Sequence, residues 1–138
     1  MSWDIAYYQN PSGRLPGVEY LDGLPSKLAV RFSAVLDMVA EAPPPQFSGG
    51  GYWEAMHAPL TGYHEVRVNG AGRTHHRLFC VLENGSPTEL KRRGLANPAI
   101  VVLTGMTKPF RTTFSFQEYQ QILDIGEEHK SMYPRRVV

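Results

Sequence analysis

Apolar and polar residues change period several times along this chain, and each change marks an element. Trp3 to Tyr8 alternates loosely, as an edge strand does, and the turn-forming run Asn10 to Gly13 ends it. After Pro16 and Gly17 the stretch VEYLDGL predicts one or two helical turns. From Pro25 the period becomes helical. Leu28, Phe32, Val35, Leu36 and Val39 recur on one face, while Lys27, Arg31, Asp37 and Glu41 lie mostly elsewhere. Pro25 suits the first helical position, and Pro43 to Pro45 stop the helix. The Pro- and Gly-rich run from Pro43 to Gly62 reads as a surface loop, in which Tyr52 and Trp53 could form an exposed binding element.

Period two returns in Tyr63 to Val68 and in Arg73 to Leu82, separated by Asn69-Gly70-Ala71-Gly72. Asn-Gly is a strong hairpin signal because both residues tolerate positive φ. Glu83 to Pro98 is polar and reads as a long loop or extended hairpin tip. Ala99 to Met106 is nearly all apolar, as a central strand covered on both faces must be. A last helix starts at Ser115, where Ser115 and Glu118 form the S-x-x-E capping box and Phe116, Tyr119, Ile122 and Leu123 make an apolar stripe. These elements predict one α+β domain over residues 1–138. It has a small antiparallel sheet, N-terminal helices packed on one face, and a C-terminal helix.

Composition narrows the classes. The 138 residues suffice for one core without staples, and 42% hydrophobic with 20% charged residues is ordinary for a globular protein. A single cysteine excludes an internal disulfide and favours a reducing compartment. With no secretory pattern at the start and no apolar run near the roughly 20 residues that cross a bilayer, a cytoplasmic protein with no membrane partner is expected. The net charge of +1 gives no global signature of nucleic-acid binding, so any such binding rests on local clusters. No metal or other cofactor is expected, because His57, His64, His75, His76 and His129 have no metal-ligand spacing. Cys80 falls on the predicted core face, as a small hydrophobe would.

Alternation gathers cations on one face. Residues two apart share a side, so Val66, Val68, Leu78, Cys80 and Leu82 would face the helices, while Glu65, Arg67, Arg73, His75 and Arg77 would face outward. Lys108 and Arg111, just past the central strand, would reach the same surface. Such a face suits cleavage of RNA by its own 2′-hydroxyl: fixed cations stabilise the charge gathered on phosphoryl oxygens, and Glu65 is the candidate base. His75 or Tyr119 would serve as acid. The plainer reading is a solvated face whose Glu65 pairs across strands with Arg67 or Arg77, worth under about 1 kcal/mol. Lys91, Arg92 and Arg93 form either a solvated loop tip or a phosphate anchor.

An ordered set of short motifs runs from about Val18 to Thr113: Leu24-Pro25; Leu60, Gly62, Glu65 and Arg67; Arg77-Leu78-Phe79; and Leu103 to Lys108 followed by Arg111-Thr112. In order and spacing it resembles the RelE/HigB superfamily of toxins, in particular its phage-derived Gp49-like branch. The second lysine of that family's pair is Pro109 here. The resemblance implies a RelE-like, microbial RNase-like fold that enters the ribosomal A site and cuts translated mRNA. It also implies a cognate antitoxin, often of helix-turn-helix type, that holds the toxin inactive. Carried over, Glu65, Arg67, Arg77 and Lys108 fall at the polar motif positions, with Arg111 beside them. Arg73, His75, Lys91, Arg92, Arg93 and Tyr119 are then the expected RNA contacts. The alternative is a non-catalytic protein of the same fold, a phage or mobile-element accessory that acts by binding RNA, the ribosome or a host protein.

Overall fold

The computed structural model describes residues 2–43 and 51–138. Its elements are β1 (Asp4–Tyr7), α1 (Pro16–Asp22), α2 (Ser26–Glu41), β2 (Trp53–Ala55), β3 (Tyr63–Asn69), β4 (His75–Glu83), α3 (Pro87–Arg92), β5 (Ala99–Lys108) and α4 (Phe116–Ser131), with one 3-10 turn at Ala71–Arg73. The five strands form one sheet in the order β1-β5-β4-β3-β2, which gives an α+β fold.

The sheet is mixed where an antiparallel one was expected. β1 runs parallel to β5, with Asp4 beside Ala99 and Tyr7 beside Val102, and the other neighbours are antiparallel. Side-chain alternation is the same for either direction, so the pattern in Trp3 to Tyr8 carried no sign of it. β5 lies inside the sheet, between β1 and β4, and is buried on both faces from Ala99 to Leu103, as its apolar run requires.

Two cores result, one on each side of the sheet. Leu28, Phe32, Val35, Leu36 and Val39 of α2 pack against Val66, Val68, Leu78, Cys80, Ile100 and Val102. On the other side Ile122 of α4 meets Leu60, Tyr63, Phe79, Val81, Val101 and Leu103. The outward face of β3 and β4 is therefore only half open: α4 covers the end with Tyr63 and Phe79, leaving the end with Arg67 and Arg77. α4 begins as the sequence expects. The Ser115 hydroxyl accepts from the Glu118 N–H at 3.1 Å, and the Glu118 carboxylate accepts from the Ser115 N–H at 2.9 Å. Phe116 departs from the expected stripe and is 73% exposed.

Three connections differ from expectation. Part of the run Pro43 to Gly62 is the edge strand β2, which pairs Trp53 with Val66 and Ala55 with His64; residues 44–50 of that run lie outside the described residues. Glu83 to Pro98 holds the short helix α3. Pro87 opens it and the Ser86 hydroxyl accepts from the Glu89 N–H at 3.2 Å, so Ser86-Pro87-x-Glu89 was a helix start set inside a polar stretch. The β3–β4 hairpin turns at Gly72 (φ +64°) and Arg73 (φ +60°), not at Asn69-Gly70. Arg73 is therefore a turn residue, off the strand that was expected to carry it.

Candidate functional site

The β3–β4 register sets Arg67 directly opposite Arg77 and Glu65 opposite Phe79, one step toward α4. Glu65, Arg67 and Arg77 thus share the uncovered half of the outward face. The Glu65 carboxylate lies 3.5 Å from Arg67 Nε, and its side chain is only 16% exposed. Arg77 is 6% exposed and is anchored to the backbone: its Nη1 donates to the His76 carbonyl at 3.0 Å. Its Nη2 lies 3.0 Å from His75 Nδ1. A guanidinium can only donate, so Nδ1 accepts and a neutral His75 carries its proton on Nε2. Tyr119, one turn into α4, closes the other side. A cavity of about 250 Å³ is lined by Glu65, Arg67, His75, Arg77, Thr112 and Tyr119. A second, of about 290 Å³, lies across the Glu65–Arg67 ridge and adds Glu54 and His57.

The electrostatics divide the labour. Burial pushes the Glu65 carboxyl up from its ordinary value, Arg67 and Arg77 pull it back in part, and Glu54 adds to the rise. Glu54 pairs with Glu65 across β2 and β3, so both carboxyls project from the same face. His75 is pushed down by burial and by Arg77 and Arg67, which keeps it neutral at pH 7. Tyr119 is pushed up by burial and by the charge of Glu65, so its hydroxyl keeps its proton. The set contains a carboxylate raised in proton affinity, two fixed cations and a protonated hydroxyl. It can take a proton, stabilise a phosphoryl oxyanion and return a proton without a metal. A larger cavity of about 650 Å³ reaches Arg67 and Arg77 from the side of Arg31, Val35 and Met38, but no carboxylate lines it. It has no base to offer.

The structure brings Glu65, Arg67, His75, Arg77 and Tyr119 together and sets the other expected residues apart. Lys108 stands opposite His75 in register, yet its amine lies 2.5 Å from Glu118 at the start of α4 and does not line the cavity. Arg73 and Arg111 meet elsewhere, over the ring of Phe110. Lys91, Arg92 and Arg93 are at the far end of β4, where Arg93 Nη1 lies 3.2 Å from Glu83 and Nη2 lies 3.0 Å from Glu89. Arg93 is thereby a structural ion-pair partner. Sequence reasoning missed Glu54, because a three-residue strand is too short for its alternation to register. Phe110 went unnoticed because no periodicity surrounds it. Cys80 is buried among apolar side chains, which pushes its thiol up and leaves it unreactive. Among the described residues no helix is long and apolar enough to cross a membrane, and no three His, Cys, Asp or Glu side chains are grouped to hold a metal ion. No family model, no curated protein and no solved structure matches this chain.

Proposed function

We propose that this protein is a metal-independent endoribonuclease of the toxin kind, acting on translated mRNA at the ribosome and restrained by an antitoxin partner. The observation that carries the reading is the half-buried Glu65 carboxyl, raised in proton affinity and flanked by Arg67 and Arg77 at the bottom of an open cleft. Glu65 takes the proton of the RNA 2′-hydroxyl. The 2′-oxygen then forms its bond to phosphorus as the bond to the 5′-oxygen breaks, Arg67 and Arg77 hold the phosphoryl oxygens, and Tyr119 protonates the departing oxygen. The products are a 2′,3′-cyclic phosphate and a 5′-hydroxyl end. Neutral His75 orients Arg77 and takes no part as an acid.

The test is brief induction in a bacterial host with mapping of new RNA 5′ ends, for the wild type, Glu65→Gln and Arg67→Ala/Arg77→Ala. Growth arrest with 5′-hydroxyl ends inside translated frames is expected. Loss of general base catalysis should slow cleavage by about 10²- to 10⁴-fold in Glu65→Gln, with RNA affinity retained. Arrest with intact mRNA would replace the nuclease with a binding inhibitor, and cleavage at the wild-type rate by Glu65→Gln would remove Glu65 from the chemistry.

A further inference from the structure

Beyond the cleft, the β3–β4 turn and the β5–α4 connection place an unusual group on the surface. The guanidinium carbons of Arg73 and Arg111 lie 5.3 and 5.4 Å from the centroid of the Phe110 ring, and the His75 ring lies 6.0 Å from it. Phe110 is 39% exposed, whereas Phe32 and Phe79 are fully buried. Among the described residues neither Arg73 nor Arg111 has a carboxylate partner. Their backbones add a second observation. Arg73 (φ +60°) and Arg111 (φ +66°) are the two non-glycine residues in the left-handed region among those described. That region favours Gly, Asn or Asp, so both arginines hold a backbone conformation uncommon for their residue type. Strain of this kind collects where a side chain serves a ligand.

We propose that Phe110, Arg73 and Arg111 form a subsite for one unpaired nucleotide of single-stranded RNA next to the scissile phosphate, its base stacking on the Phe110–arginine platform and its phosphate taken by a guanidinium. This rests on the nuclease reading, and His75 supplies the link: it touches Phe110 on one side and lines the Glu65 cleft on the other. Aromatic and guanidinium planes accept any base, which makes the subsite tolerant of sequence. A duplex, whose bases stay stacked, has nothing to insert. The simpler alternative is that the arginines merely cover an exposed ring. Glycine relieves the same backbone strain under both readings, so they differ in binding: if the arginines only cover the ring, replacing them leaves RNA affinity unchanged, whereas if they hold RNA it falls.

The experiment uses the full chain carrying Glu65→Gln, so that RNA survives, and follows the anisotropy of a fluorescein-labelled single-stranded RNA with and without its annealed complement. Adding Phe110→Leu should weaken single-strand binding about 5- to 100-fold, the range expected when one base no longer stacks. Adding Arg73→Gly/Arg111→Gly should weaken it too, lower the slope of log affinity against log salt by about 0.7 for each phosphate no longer neutralised, and leave the melting temperature equal or higher. Equal affinity for the duplex, equal displacement by polyglutamate, or no binding of free RNA overturns the subsite. Wild-type cleavage kept unchanged by Arg73→Gly/Arg111→Gly and Phe110→Leu overturns the subsite and leaves the nuclease standing. Binding that depends on Phe110, in a protein whose wild type cuts no RNA, keeps the subsite and removes the nuclease.

Discussion

Glu54 and Glu65 stand opposite one another on β2 and β3, and the negative charge of Glu54 disfavours ionisation of Glu65. The charge on Glu54 is one of the causes that raise Glu65, after burial. Removing it lowers the Glu65 proton affinity, so Glu65, the proposed base, stays ionised at lower pH. The acidic limb of kcat/KM for RNA cleavage is therefore expected to move to lower pH in Glu54→Gln, with the plateau rate reduced or unchanged. A pH series on the two proteins checks this, and an unmoved limb would mean that Glu65 is not the titrating base. Much of this site was legible from alternation alone. Glu65, Arg67 and Arg77 share a face because β3 and β4 keep period two without a break. What was not legible was where each cation points, since Lys108 lies on the right face yet is neutralised by Glu118 at the start of the next helix, a pairing that strand alternation does not show.

At the scale of elements, α4 decides how much of the sheet stays open, and one glycine sets its distance. A Cβ on Gly126 would lie 2.0 Å from the Tyr63 hydroxyl, a clash that Tyr63, buried, has little room to relieve. Gly126→Ala should lift α4 from the sheet and cost about 1–3 kcal/mol, the usual range for overpacking. Tyr119 lies two turns earlier on the same helix, so the loss of stability should come with a loss of cleavage greater than any loss of RNA affinity. Urea denaturation and single-turnover rates on one preparation separate these effects. Helix starts that followed capping rules were legible, as at Ser115. The same logic at Ser86 went unread because the helix that follows is six residues long, too short to show a period. Hairpin chemistry misled for a different reason: Asn69-Gly70 satisfies the two-residue rule, but the chain extends β3 through Asn69 and turns later, at Gly72 and Arg73.

The whole molecule closes far from the cleft, around Glu83. This carboxylate is 4% exposed at the end of β4. It accepts from Arg135 Nε at 2.8 Å and lies 3.0 Å from His129 Nε2, while its other oxygen lies 3.2 Å from Arg93. Strand β4, helices α3 and α4 and the C-terminal segment are thus tied to one group. The segment continues to the sheet edge, where Val138 exchanges two backbone hydrogen bonds of 2.9 Å with Tyr7. Burial alone would raise Glu83, but the bonds from His129 and Arg135 outweigh it and hold its pKa at about 2. A carboxyl depressed in the folded state stabilises the fold above its ordinary pKa, near 4.5, and that contribution fades as pH falls toward 2. At about 1.4 kcal/mol per pH unit it amounts to roughly 3 kcal/mol. Glu83→Gln should therefore lower stability at pH 7 by about 3–5 kcal/mol, because the buried Arg135 and the largely covered Arg93 lose their counter-charge. It should also flatten the decline in stability between about pH 4.5 and 2. Denaturant melts across that range test both statements. Since Glu83 lies at the opposite end of β4 from Arg77, any Glu83→Gln protein that stays folded at neutral pH should keep whatever RNA binding and cleavage the wild type shows under the proposed function. Loss of activity without unfolding would mean instead that the C-terminal closure communicates with the cleft through β4.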